Sequence, residues 1–300
     1  MSVLIVGSTG LDDIETLQSK VYRVMGGSAF YASVAASFFC PTRLVGIVGD
    51  DLPQEHLNFL KSRKIDLSGL QIVKGEKTFH WSGIYEENFS KRRTISLSLN
   101  VFEKFNPRLN DRFRETAYIF LANIDPHLQL SVLNQLRSPR LVVGDTMNHW
   151  IFDKKEKVTE LMQRVDIMIL NDEEVKDYTG ESSLWKAGQK ILKIGPRFVI
   201  IKKGEHGAVM LGKNSVFFAP AFPVENVCDP TGAGDVFAGS FTAYLARRNN
   251  FSWTNLKKAV IYGTVMASLN VEKFSVTALK NINFKLIQNR FKFLKKNTAF

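Results

Sequence analysis

Cysteine is nearly absent from this 300-residue chain, which has only Cys40 and Cys228. Neither has a His or a second Cys at metal spacing. A disulfide framework and a zinc module are therefore excluded, and both thiols read as buried small side chains suited to a reducing cytoplasm. No apolar run approaches the ~18 residues of a membrane span. Met1-Ser2-Val3-Leu4-Ile5-Val6-Gly7 has no basic region or cleavage site and reads as a first strand rather than a signal peptide. Repeats, low-complexity tracts and Pro/Gly-rich linkers are missing. So is any Gly-x-x-x-x-Gly-Lys-Ser/Thr, which excludes a P-loop enzyme, and any His-Arg-Asp or Asp-Phe-Gly, which excludes a protein kinase.

What is present fits a globular α/β protein. The hydrophobic fraction is 45%, and this length can bury a sizeable core. Short apolar runs, Val3 to Val6, Arg43 to Val48, Ala117 to Leu121, Arg140 to Val143, Asp166 to Leu170 and Phe198 to Ile201, look like buried parallel strands. Helix candidates lie between or after them: Ser28 to Phe39, Gln54 to Lys61, Leu128 to Arg137, Lys155 to Gln163, Leu184 to Ile194 and Trp253 to Leu269. This alternation predicts a three-layer α/β/α fold with a central, mainly parallel sheet, in one domain over 1–300.

Lys77 to Tyr85 and Arg93 to Leu99 break the pattern. They read as two strands joined by a polar turn around Glu86 to Lys91, an edge extension or a lid. The extended stretch Asp13 to Val24 offers further lid strands, so the lid segments are about 13–24 and 77–99. The net charge of +11 is scattered, with concentrations at Lys91-Arg92-Arg93 and over Lys285 to Lys296. The latter reads as a C-terminal helix with an apolar stripe and a solvated face, not as a nucleic-acid surface.

Each core strand runs into a polar cluster. These are Gly7-Ser8-Thr9-Gly10-Leu11-Asp12, Gly49-Asp50-Asp51, Asn123-Ile124-Asp125, Gly144-Asp145-Thr146-Met147-Asn148, Asn171-Asp172-Glu173-Glu174 and Lys203-Gly204-Glu205-His206-Gly207. In open α/β sheets ligands collect beyond the carboxyl ends of the strands, so six such clusters predict a polar cleft. The most pointed stretch is Cys228-Asp229-Pro230-Thr231-Gly232-Ala233-Gly234-Asp235. It precedes a helical run, Val236 to Arg248, with Phe237, Phe241, Tyr244 and Leu245 on one inward face. Glycines at a helix start let an anion approach free N–H groups. Asp235 would repel that anion, unless it takes a proton from a nucleophile attacking it. An acid in the first turn is also ordinary capping chemistry, worth up to about 1 kcal/mol.

The string Asp-Pro-Thr-Gly-Ala-Gly-Asp-Val-Phe-Ala-Gly-Ser-Phe closely resembles the C-terminal signature of the ribokinase-like (PfkB) carbohydrate and nucleoside kinases. The resemblance covers nearly the whole chain. It implies that Asp235 is the catalytic base and that Gly232, Ala233 and Gly234 form the anion hole. It also implies that Asp12, with Asp13 as second choice, binds sugar hydroxyls, and that the paired Gly26 and Gly27 admit the substrate. Asn123 falls among the substrate-side residues. Asn171 and Glu174 match an Asn-x-x-Glu motif that places Mg²⁺ through water and holds phosphates; the same pair reads as a helix capping box. Lys203, Gly204 and Gly207 resemble the nucleotide loop, with Thr231 also on the ATP side. Asp229 and the Thr231 backbone match positions that bind K⁺ in many members.

Two departures stand out. Tyr31 occupies a position where the family often has Asn, and Val271-Glu272-Lys273-Phe274-Ser275 diverges from ribokinase near the remaining cation ligands. The implied activity is Mg-ATP-dependent phosphorylation of a sugar's primary hydroxyl, with a nucleoside acceptor as the alternative. An inactive kinase fold that binds nucleic acid is the remote one. Lid aromatics Phe79, Trp81 and Tyr85 are expected to form a homodimer contact, because an isolated hairpin cannot bury its apolar residues.

Overall fold

The computed structural model describes residues 1–86, 89 and 91–298. Most of the turn expected between Glu86 and Lys91 thus lies outside the described residues. The main sheet uses β1 (Val3–Val6), β4 (Thr42–Gly49), β5 (Asp66–Val73), β8 (Tyr118–Leu121), β9 (Leu141–Asp145), β10 (Ile167–Asn171), β11 (Phe198–Lys202), β12 (Ala208–Gly212) and β13 (Ser215–Ala219). Its order is β13-β12-β11-β10-β9-β8-β1-β4-β5. Every pairing is parallel except β11 with β12 and β12 with β13. The runs Val-Leu-Ile-Val of β1 and Tyr-Ile-Phe-Leu of β8 are buried throughout because helices cover both faces.

On one face lie α1 (Ser28–Ala36), α2 (Gln54–Ser62), α9 (Ala233–Arg248), α10 (Trp253–Asn270), α11 (Thr277–Lys280) and α12 (Phe284–Asn297), around Val3, Ile5, Phe120 and Phe241. On the other lie α3 (Asp111–Arg114), α4 (Pro126–Gln135), α5 (Asn148–Asp153), α6 (Lys155–Arg164), α7 (Asp172–Thr179) and α8 (Leu184–Leu192), around Leu4, Val6, Ile119 and Leu161. The three-layer α/β/α expectation holds. In the C-terminal helix α12, Ile287 and Leu294 turn inward and Phe291 stacks on Tyr262 at 4.3 Å.

The helix after the glycines departs from its expected form. One inward face was expected, yet every side chain from Val236 to Ala246 is buried. Packed between α1 and α10, α9 has almost no solvent face. It also begins three residues earlier, at Ala233, which puts Gly234 and Asp235 inside its first turn.

A second sheet has the order β3-β2-β6-β7, from β2 (Gly10–Glu15), β3 (Lys20–Gly26), β6 (Phe79–Glu86) and β7 (Lys91–Ser98). It joins the two segments read as lid strands, with β2 and β6 parallel and its other pairs antiparallel. Asp51, just beyond β4, fixes its base. One carboxylate oxygen accepts the Thr78 N–H at 2.7 Å and hydroxyl at 2.6 Å, and the other faces the Arg23 guanidinium at 3.2 Å.

Candidate active site

The polar clusters do share one edge. Asp145, Asn171 and Lys202 are the last residues of the neighbouring strands β9, β10 and β11. Asn171 and Lys202 sit side by side in the strand register. The start of α9 faces this edge, since a Cβ placed on Gly234 would lie 2.8 Å from the Lys202 ammonium. Gly232 caps α9 in the left-handed conformation, φ 73°, and any side chain there would overlap the Tyr31 ring. Glycine is therefore required twice over. The Ala233 N–H turns back to the Pro230 carbonyl at 3.2 Å, whereas the N–H groups of Gly232 and Gly234 have no backbone acceptor among the described residues. Those two N–H groups are open to an anion.

Four carboxyl groups converge here, and burial governs them all. Burial, and after it Asp145, raises Asp235 to about 7 against the pull of Lys202 and Arg92. Burial likewise raises Glu174 to about 7, against the pull of Lys202. Asp145 is raised by burial, and Lys202 opposes. Asp12, on β2, is raised well above the usual range by burial, then by Asp229, Asp235 and Asp13. A side chain on Gly26 would overlap the Asp12 carboxylate, so that glycine makes room for the acid. The lid adds Tyr85, whose hydroxyl lies 3.0 Å from that of Thr231, and Arg92, opposite Tyr85 in the β6–β7 register. An acid poised near neutrality beside unpaired N–H groups and a second buried carboxyl can deprotonate a hydroxyl next to a bound phosphate.

The family of pfkB carbohydrate kinases matches residues 4–282. This chain belongs to that family. It is a kinase, a phosphotransferase acting on a hydroxyl group of a sugar or nucleoside. The kinase is 30% identical over 255 residues to a cytidine kinase of Thermococcus kodakarensis, covering 82% of this chain and 89% of that protein. It is 23% identical over 282 residues to a nucleoside kinase of Methanocaldococcus jannaschii, 89% of each chain. The crystal structure of Methanocaldococcus jannaschii nucleoside kinase shares the fold with a TM-score of 0.78, at 20% identity over 97% of this chain and 98% of that one. The ribokinase of Thermotoga maritima does so at 0.76, with 22% identity over 97% and 99%.

Most residues singled out in the kinase sequence lie along this edge, in differing states. Asn171 and Glu174 form a full capping box for α7: the Asn171 N–H donates to Glu174 Oε2 at 2.7 Å, and the Glu174 N–H to Asn171 Oδ1 at 2.8 Å. Lys203, Gly204 and Gly207 form the turn between β11 and β12, where the Lys203 N–H donates to the Gly207 carbonyl at 2.8 Å. The Asn123 amide donates to Met147 Sδ at 3.2 Å and accepts from the Trp150 indole at 3.1 Å. Asp13 faces His80 at 3.2 Å and holds the Arg23 N–H, so it serves the lid sheet, while Asp12 is the carboxyl packed against Gly26.

Sequence reasoning missed Lys202 and Arg92 and left Asp145 as one member of a cluster. Lys202 had a signal: a charge closing the apolar run Phe198 to Ile201 just before a glycine turn. Arg92 had none, because its place opposite Tyr85 depends on strand register.

Among the described residues no helix is long and apolar enough to cross a membrane.

Proposed function

We propose that this kinase transfers the γ-phosphoryl group of ATP to a primary hydroxyl of a sugar. The observation that carries the reading is Asp235, half-buried in the first turn of α9 beside the N–H groups of Gly232 and Gly234, which have no backbone acceptor among the described residues. Asp235 takes the proton of the acceptor hydroxyl. The acceptor oxygen bonds to the γ-phosphorus, the bond to the β–γ bridging oxygen breaks, and ADP leaves with that electron pair. The N–H groups receive charge on the moving phosphoryl, and Asp12 accepts hydrogen bonds from other sugar hydroxyls.

One observation favours a nucleoside as the carrier of that sugar. Trp81 pairs with Asp12 in the β2–β6 register, so both share one face of the lid sheet. A side chain on Gly83 would overlap the indole, and the indole N–H donates to the Thr94 hydroxyl at 3.1 Å, which fixes the ring along the sheet. A fixed aromatic beside a hydroxyl-binding acid suits stacking on a base. The similarity to proteins named cytidine kinase and nucleoside kinase supports the same reading.

Mg²⁺ fits the residues present. Glu174 uses Oε2 for the Asn171 N–H, while Oε1 has no hydrogen bond among the described residues. One free carboxylate oxygen suits an ion that keeps most of its waters and binds phosphates. The ion would supply charge neutralisation across the phosphates. The positions matched to K⁺ already hold protein donors: the two Asp229 oxygens accept N–H groups of Thr231 and Ser275 at 2.8 and 3.0 Å, and the Asn270 amide donates to the Thr231 carbonyl at 3.0 Å. Each of these oxygens keeps a second lone pair for a monovalent cation.

A homodimer through the lid is also part of the proposal, on a revised surface. Tyr85 is buried against Thr231 and so is not available to a partner, while Phe79 is half-buried on Phe102 at 5.6 Å. Among the described residues Leu17, Tyr22, Ile95, Leu97 and Leu99 are exposed apolar side chains of the lid, and a second copy of this surface would cover them.

The deciding experiment measures ADP release from ATP over a panel of pentoses, hexoses and nucleosides. Acceptor-dependent ADP formation with a nucleoside is expected; no acceptor-dependent release from any of them removes the reading.

A further inference from the structure

Lys202 is a charged side chain for which the reaction outlined above has no task. It ends β11, between Asp145 at the end of β9 and the first turn of α9. Its ammonium makes no hydrogen bond among the described residues, and the nearest acidic oxygen, Asp145 Oδ1, is 3.8 Å away. That is outside hydrogen-bond range. The side chain is only 17% exposed. An ammonium has three donors, and leaving them unmet while largely out of water is costly unless a ligand supplies the acceptors. A plain counter-ion to Asp145 would close that gap.

We propose that Lys202 is a catalytic residue whose ammonium binds an oxygen of the phosphoryl group in transfer. The inference rests on the kinase reading above. Three features converge on it. The ammonium hangs over Gly234, whose N–H is one of the two left open at the start of α9. An anion seated on those N–H groups therefore lies within reach of Lys202. The surroundings otherwise hold the carboxyls of Asp145, Glu174 and Asp235, so a fixed positive charge among them offsets their repulsion of a phosphoryl group. Lastly, Asp235 is the base, so the phosphate at this end of α9 is the one the acceptor attacks, rather than the α- or β-phosphate. In transfer the ammonium keeps its proton and offsets the charge that builds on the phosphoryl oxygens.

The test compares Lys202→Met and Lys202→Arg with the parent protein, by calorimetric binding of ATP and ADP and by steady-state turnover. Lys202→Met is expected to lower kcat by about 10² or more. It should weaken ATP at least ~10-fold while weakening ADP less, because only ATP carries the terminal group. Lys202→Arg should recover part of both, as a guanidinium also binds phosphate. Equal losses for ATP and ADP, or a kcat within ~3-fold of the parent, would overturn the proposal, since a purely structural lysine predicts no nucleotide discrimination. Should Lys202→Met fail to fold with Asp145 left without its counter-charge, the double change with Asp145→Asn removes both charges, and the same ATP-to-ADP comparison decides. A parent protein that neither binds ATP nor releases ADP removes the kinase reading itself, a result distinct from an active parent with an indifferent Lys202→Met.

Discussion

The Tyr85 hydroxyl lies 3.0 Å from the Thr231 hydroxyl, so the lid touches the loop that opens into the glycine turn. These residues are 146 positions apart in the chain. The contact joins the lid sheet to the start of α9, and Asp51 holds the lid's base through Thr78 and Arg23. A phosphoryl donor needs water kept out while the acceptor is in place, and this contact draws the lid over that site.

Loosening the lid should therefore uncouple transfer from hydrolysis. Tyr85→Phe removes one hydroxyl contact and should slow phosphoryl transfer a few-fold, with a larger share of ATP lost to water. Trp81→Ala should act in the same direction. Both are read as the ratio of phosphorylated acceptor to ADP, and an unchanged ratio in both counts against a closing lid. The dimer is checked separately: Leu97→Asp should shift a dimer toward monomer in light scattering.

Asp235→Asn should lower kcat by a factor of at least about 10² while ATP affinity stays close to the parent's. Because burial lifts this carboxyl to about 7, kcat/KM in the parent should rise as pH increases through about 7 and level off above it. A flat profile from pH 5 to 9 would show that no base titrates in that range.

The same burial sets an opposite trend in stability. Asp235 and Glu174 are both lifted to about 7, against ordinary values near 4. The folded protein thus holds protons that the unfolded chain releases between about pH 4 and 7. The stability tied to them is full below about pH 4 and lost as pH rises through about 7. Asp235→Asn should accordingly make the ligand-free protein more stable at pH 8, by about 1–3 kcal/mol, with little change at pH 4. The capping benefit expected for an exposed first-turn acid is reversed here by burial. Denaturant melts of both proteins at the two pH values measure it.

Glu174→Gln should raise the Mg²⁺ concentration needed for half-maximal activity, while ATP-site occupancy changes little. Glutamine keeps an oxygen for the Asn171 N–H, so the capping box survives and a stability loss is not expected. Activity against Mg²⁺ is the measurement, and a superimposable curve would leave Glu174 only its cap.

Much of this molecule was legible in one dimension. Apolar runs such as Val3 to Val6 mark strands because a strand covered on both faces admits few polar side chains. Asp235, Gly232 and Gly234 were legible because a helix start and its free N–H groups are local, set by adjacent residues. What needed the tertiary structure is whatever depends on residues far apart in sequence. Lys202 faces Gly234 only because β11 ends opposite α9, and Tyr85 reaches Thr231 only because the lid folds back over the sheet edge. That Asn123 meets Met147 and Trp150, and that Asp229 meets Ser275, likewise follows from the fold and not from neighbouring residues. The protonation of Asp235 was likewise undetermined by composition, since it follows from the water and charges that α1, α10 and the neighbouring strands exclude or bring near.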